Sequence, residues 1–105
     1  QWRALALKGA QVLIHLNNTL GPDKYLLWKS YLISRAGENQ RYVVSVNCAG
    51  SGRGCPTMVV SPKGKPIVEI TSDQLVVKEI DLDLGEVQDY YLGQRRADLV
   101  DVVEK

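Results

Sequence analysis

The stretch Trp28 to Asn47, WKSYLISRAGENQRYVVSVN, decides the fold. Through its first half, and just before it, apolar residues recur at helical spacing. Leu27, Trp28, Tyr31, Leu32 and Ala36 make a stripe that leaves Lys24, Lys29, Ser30 and Glu38 largely outside. The second half, Tyr42 to Val46, is apolar apart from Ser45. That is the pattern of a strand covered on both faces and central in its sheet. A helix feeding such a strand is the repeating unit of an α/β sheet, and ligands bind in loops beyond the carboxyl ends of the strands. Here the strand ends at Asn47, beside a glycine-rich loop.

Upstream of this stretch, residues 2–9 read as a helix in which Trp2, Leu5 and Ala6 share a face and Gly9 supplies the stop. QVLIHL, residues 11–16, reads as a buried strand, and NNTLG, residues 17–21, as a turn. Pro22 and Asp23 then open the helix that runs to about Asn39. Downstream, residues 48–56 form a loop expected to be a mobile rim. TMVVS (57–61) and PIVEIT (66–71) flank the turn Pro62-Lys63-Gly64-Lys65 as a hairpin. QLVVKEIDL, residues 74–82, reads as a third strand after the Ser72-Asp73 turn, followed by a short helix near 85–92. The order is α/β with an antiparallel portion late, and there is no internal repeat or linker.

With 105 residues, 45% hydrophobic and 24% charged, the chain has the composition of one globular unit. A net charge of +1 gives no footprint for nucleic acid or an anionic membrane. The basic doublets, Arg95-Arg96 and Lys63/Lys65, read as solvated surface. No apolar run approaches the roughly 20 residues of a membrane span. Two cysteines make a poor disulfide framework, so the reading is a reduced, cytoplasmic chain. The first helix begins at Gln1 with no Ser, Thr, Asp or Asn before it as a cap. The chain therefore reads as a single partial domain, residues 1–105, continuing something longer.

Several chemistry-bearing features have simple structural readings. The loop Gly50 to Gly54 follows a strand, as phosphate cradles do, but it runs into Cys55-Pro56 and more β pattern, with no Gly-Lys-Ser/Thr. Cys48 and Cys55 lack a base in reach, since the one histidine, His15, sits in an apolar strand pattern where it reads as a packed core residue. One His and two Cys also fall short of a zinc site, so no metal or cofactor is expected. Asp81, Asp83, Glu86 and Asp89 read as a solvated cap. Asn17, Asn18, Thr19 and Asn47 differ. They lie just past two strands expected to run parallel, at the sheet edge where pockets form. They are the substrate-proximal candidates, against the alternative that Asn merely satisfies loop backbone.

Taken in order, RALALKGAQVLIHL, SRAGENQRYVVSVN, the glycine-rich loop, MVVSPKGKPIVE, LVVKEIDLD and RRADL resemble the C-terminal half of the nitrilase, or carbon–nitrogen hydrolase, superfamily over nearly the whole chain. Arg35 to Gln40 and Asn47 match its Arg-Ala-x-Glu-Asn-x segment and strand-ending Asn. Ser61 to Gly64 resembles its Asp-Pro-x-Gly hairpin, and Arg95 to Leu99 its Arg-Arg-Pro-Asp-Leu tail. Gly37 and Ala97 depart mildly from the usual residues. The resemblance implies a four-layer α-β-β-α sandwich that hydrolyses small amides, nitriles or carbamoyl amines with a Cys nucleophile, a Glu base and a Lys. In the family all three precede this stretch, so no catalytic residue is expected here and the chain alone is expected to be inactive. The resemblance makes Arg35, Glu38 and Asn39 scaffold. A half sandwich exposes an apolar sheet face and strand edges, so a homo-oligomer is expected. The alternative reading is a non-catalytic α/β assembly module or pseudoenzyme.

Overall fold

The computed structural model describes residues 1–93, so the Arg95-Arg96 doublet and the motif from Arg95 to Leu99 lie outside the described residues. A short helix, α1 (Trp2–Leu7), ends where Gly9 adopts φ +97 and turns the chain into β1 (Val12–Leu16). Only a residue free of the Cβ penalty takes that left-handed turn without strain. A 3-10 turn (Pro22–Lys24) then leads into α2 (Tyr25–Asn39), which returns the chain to β2 (Tyr42–Val46). Gln40 closes α2 in the left-handed conformation, φ 53. The chain continues through β3 (Thr57–Val60), β4 (Pro66–Ile70), a second 3-10 turn (Leu84–Glu86) and α3 (Tyr90–Gly93).

The four strands form one sheet in the order β1-β2-β3-β4. β1 and β2 are parallel, with Val12 opposite Tyr42 and Leu16 opposite Val46, so both strands end at the same edge. β3 and β4 are antiparallel additions, joined by the expected hairpin. In that turn the Ser61 hydroxyl accepts from the Lys63 and Lys65 N–H groups, and Gly64 takes φ +77. α1 and α2 cover one sheet face. Leu13, Leu32, Ala36, Val43, Met58 and Val60 form the core there, with Trp2 and Trp28 packed against it. Each large side chain so buried contributes roughly 1.5–3 kcal/mol.

Period-2 geometry sends the alternate residues to the other face. There Ile14 and Leu16 are 64% and 74% exposed and Val46 is 41% exposed. β2 is therefore an inner strand, but it is covered fully on one face only, which corrects the expectation from its sequence. Residues 74–82 also depart from expectation. They are not a strand among the described residues, although their alternation is strand-like. From Leu75 to Leu82 no backbone N–H donates to another backbone group among the described residues. Instead Val76, Val77 and Ile80 border a hollow of about 330 Å³ against Val44, Val59, Val68 and Ile70. Alternation fits a segment for pairing, but a strand forms only where a free edge is in register. The helix expected near 85–92 is divided into the second 3-10 turn and α3. No helix among the described residues is long and apolar enough to cross a membrane.

Below the parallel strands sits a buried cation that the sequence pattern did not single out. Arg41, 3% exposed, donates to the Ala6, Ala10, Asn39, Gln40 and Gln88 carbonyls and to Asp89 Oδ1 at 2.6 Å. Beside it the Tyr42 hydroxyl donates to Glu86 Oε2 at 2.6 Å and accepts from the Asp83 N–H at 3.1 Å. The hydrogen bond to Glu86, then burial, raises the Tyr42 pKa. Asp83 also caps the 3-10 turn by accepting from the Gly85 N–H at 2.9 Å. These acids therefore anchor the C-terminal segment, beyond the solvated role read from sequence. Arg41→Leu should lower the urea-unfolding free energy by about 3 kcal/mol, because several buried carbonyls lose a charged donor. Asp89→Asn should cost less than about 1 kcal/mol, its side chain being largely exposed. Equal losses in the two variants would contradict this division.

Candidate functional site

Because β1 and β2 end together, the loops that follow them, residues 17–21 and 47–56, meet at one sheet edge. They are joined along their length. The Gly21 N–H donates to the Gly52 carbonyl at 3.0 Å and the Gly54 N–H to the Thr19 carbonyl at 2.9 Å, around a bridge between Leu20 and Arg53. This joining shows a loop held by its neighbour, where the sequence suggested a mobile rim. Gly54 is required by space alone, since a Cβ there would lie 2.7 Å from the Leu20 carbonyl oxygen.

The structure brings the four substrate-proximal candidates together and divides them by role. Asn47 is buried. Its Nδ2 donates to the Thr19 and Cys55 carbonyls at 2.9 Å each, and its Oδ1 accepts from the Cys48 N–H at 2.8 Å. Asn17 donates from Nδ2 to the Val46 carbonyl at 3.1 Å, and its Oδ1 accepts from the Thr19 N–H at 3.4 Å. Asn47 thus ties its loop to Thr19 of the other, and Asn17 ties the first loop to the end of β2. Asn18 is exposed and its side chain has no hydrogen-bond partner among the described residues, nor has the Thr19 hydroxyl. The scaffold candidates lie at the far end of α2. Arg35 Nη1 meets Glu38 Oε1 at 2.9 Å on the surface. Asn39 is fully buried and donates to the Arg35 carbonyl at 2.9 Å, while its Oδ1 has no partner among the described residues.

His15 is not an ordinary core residue. Its ring stacks on Trp28 at 5.4 Å and 20°, Trp2 lies tilted against it at 5.6 Å and 52°, and Trp28 and Tyr31 meet in a T-shaped pair. Asn17 Nδ2 lies 3.4 Å from its Nδ1. Burial lowers the His15 pKa below its ordinary 6.5. The thiols are both free. Cys48 is exposed, and Cys55 is buried beside Ser45 Oγ at 3.6 Å, where burial raises its pKa. No hydrogen bond joins either thiol to a His, Lys or carboxylate among the described residues. Among the described residues neither is hydrogen-bonded to the basic partner that a nucleophilic cysteine needs. Among the described residues no three His, Cys, Asp or Glu side chains gather to hold a metal ion.

On the helix face of β4, Glu69 joins two residues of α2. It accepts from the Tyr25 hydroxyl at 2.6 Å and pairs with Lys29 Nζ at 2.7 Å. The Lys29 hydrogen bond, then that of Tyr25, holds the Glu69 carboxyl below its usual range. Burial, together with that carboxylate, pushes Tyr25 up to about 12.

Two outcomes follow from this geometry. Gly54→Ala should destabilise by about 1–3 kcal/mol, the range for overpacking a tight contact, and should speed amide exchange at Gly21 and Gly54 together. Unchanged exchange would contradict the joined-loop description. His15 has its pKa lowered on folding, so its stabilising effect is complete above the unfolded value near 6.5 and is lost as pH falls through the lower folded value. Unfolding free energy should therefore decline below pH 6.5, and His15→Gln should flatten that part of the profile. An unchanged profile would contradict the assignment.

Comparison with known proteins gives the family of the chain. The family described as carbon-nitrogen hydrolase matches residues 1–91. An (R)-stereoselective amidase from Pseudomonas sp is 36% identical over 103 residues, 90% of this chain and 37% of that protein. A glutamine-dependent NAD(+) synthetase from Aquifex aeolicus is 32% identical over 94 residues, 82% of this chain and 16% of that protein. Among solved structures, the C. elegans NitFhit protein superimposes with a TM-score of 0.74 at 25% identity, covering 95% of this chain and 26% of that one. An amidase from Nesterenkonia sp. AN1, carrying the acetamide moiety of fluoroacetamide on its active-site cysteine, gives a TM-score of 0.66 at 30% identity over 93% of this chain and 36% of that one. The chain thus spans well under half the length of each of these proteins. It belongs to the carbon–nitrogen hydrolase family.

Proposed function

We propose that this chain is the C-terminal half of a carbon–nitrogen hydrolase domain, one side of an α-β-β-α sandwich whose Cys, Glu and Lys lie upstream of Gln1. The observation that carries the reading is the unequal treatment of the two sheet faces. Under α1 and α2 the sheet carries a buried apolar core, while the opposite face presents Ile14, Leu16 and Val46 to solvent. An apolar face of this kind is built to be covered by another layer.

In the intact domain the substrate is a small amide or nitrile. The base makes the thiolate, which attacks the carbon of the C–N group, and fixed positive charge holds the developing anion. For an amide, the nitrogen leaves with a proton as amine or ammonia. Water then cleaves the acyl–sulfur bond and regenerates the thiol. This chemistry uses no metal or cofactor. The present chain supplies one wall of the pocket: Asn17 and Asn47 hold the paired loops, and Asn18 and the Thr19 hydroxyl are left for substrate. Arg35, Glu38 and Asn39 are scaffold. Its free thiols suit a reducing compartment such as the cytoplasm.

A second reading, a non-catalytic assembly module, is favoured by the same exposed face. In both readings the isolated chain covers that face by pairing with further copies. Purified 105-residue chain should release no ammonia from propionamide and should sediment as a dimer or larger species. Turnover abolished by Cys48→Ser would overturn the upstream nucleophile, and a stable monomer would overturn the covered face.

A further inference from the structure

Between the start of α2, the Gly50–Gly52 loop and the end of β4 lies a cavity of about 400 Å³, within the roughly 300–1,000 Å³ range of small-molecule sites. Two opposite charges line it. Arg53 and Asp73 both border the space, yet they form no ion pair with each other. Arg53 is well fixed. Its backbone bridges Leu20, with a loop-to-loop hydrogen bond on either side, and its Nη2 donates to the Ser72 carbonyl. A guanidinium has five N–H donors, and the others on Arg53 meet no protein acceptor among the described residues. The Asp73 carboxylate is exposed and also has no partner there.

The remaining walls narrow the ligand chemistry. The Tyr25 hydroxyl is occupied by Glu69, whose charge is met by Lys29, so Tyr25 adds a ring and no net charge. Pro22 and Leu26 add apolar surface, and Leu26 is 76% exposed. Gly50 and Gly52, at φ +122 and +75, leave bare backbone along one side. A phosphate dianion fits poorly, because Asp73 opposes it and Pro22 removes an N–H donor from the helix start. A molecule carrying one negative and one positive charge satisfies both side chains at once.

We propose that this cavity binds a small zwitterion, an α-amino carboxylate with an apolar side chain, with its carboxylate on Arg53, its ammonium on Asp73 and its side chain against Pro22 and Leu26. The inference rests on these residues alone and does not need the hydrolase reading. It is tested on the ¹⁵N-labelled 105-residue chain with three probes of similar shape: L-leucine, 4-methylpentanoate without the ammonium, and 3-methylbutan-1-amine without the carboxylate. Leucine should move the amide signals of Gly50, Gly52 and Arg53 saturably. Each singly charged probe should bind at least about tenfold more weakly, the equivalent of 1.4 kcal/mol. Arg53→Gln and Asp73→Asn should each weaken the leucine response while leaving the β2 signals in place. No saturable shift with leucine would overturn the proposal, as would equal binding of 4-methylpentanoate or an undiminished response in folded variants. The probe series on the unaltered protein decides the question even if a variant does not fold.

Discussion

The guanidinium of Arg41 stands at the foot of β2 with six oxygen atoms around it, drawn from the end of α1, the approach to β1, the end of α2 and the segment before α3. Helix ends carry carbonyls without intrahelical partners, and a buried one must be satisfied or it costs stability. A single planar cation meets several of them together. The helices are thereby fixed to the lower edge of the sheet, and parallel pairing carries that placement to the upper edge. Tyr42, the next residue, adds its own hold on Asp83 and Glu86.

The upper edge depends on this register. With Leu16 opposite Val46, Asn17 can reach the Val46 carbonyl and Asn47 can reach the Thr19 carbonyl. A shift of one residue would turn every side chain to the other face and separate the loops. The chain thus has a polar clasp at each end of its parallel strands and an apolar core under the helices, with the reverse face of the sheet open at Ile14, Leu16 and Val46. His15 belongs to this same scheme, in contact with two indoles near the level where β1 gives way to its loop.

Much of this was legible in the residues. The stripe from Leu27 to Ala36, the apolar run of β2 and the Pro62–Lys65 turn each carry a local signal strong enough to place an element. The parallel pair that put Asn17 and Asn47 at one edge followed from them. Residues 74–82 misled because alternation is a property of a segment, while pairing needs a neighbour in register. Arg41 was missed for a related reason. A charged residue just before a strand looks solvated until the helix ends and Asp89, distant in sequence, are brought around it. Asn47 stood out, but its side chain proved to be committed to the loops.

The central claim is that this sheet is one half of a hydrolase domain whose reacting groups lie in the other half. The most direct measurement is to read the coding sequence immediately upstream of Gln1. The account predicts a Cys shortly before α1, with a Glu and a Lys further upstream. A start codon at that point, or an upstream stretch without such a Cys, would contradict it.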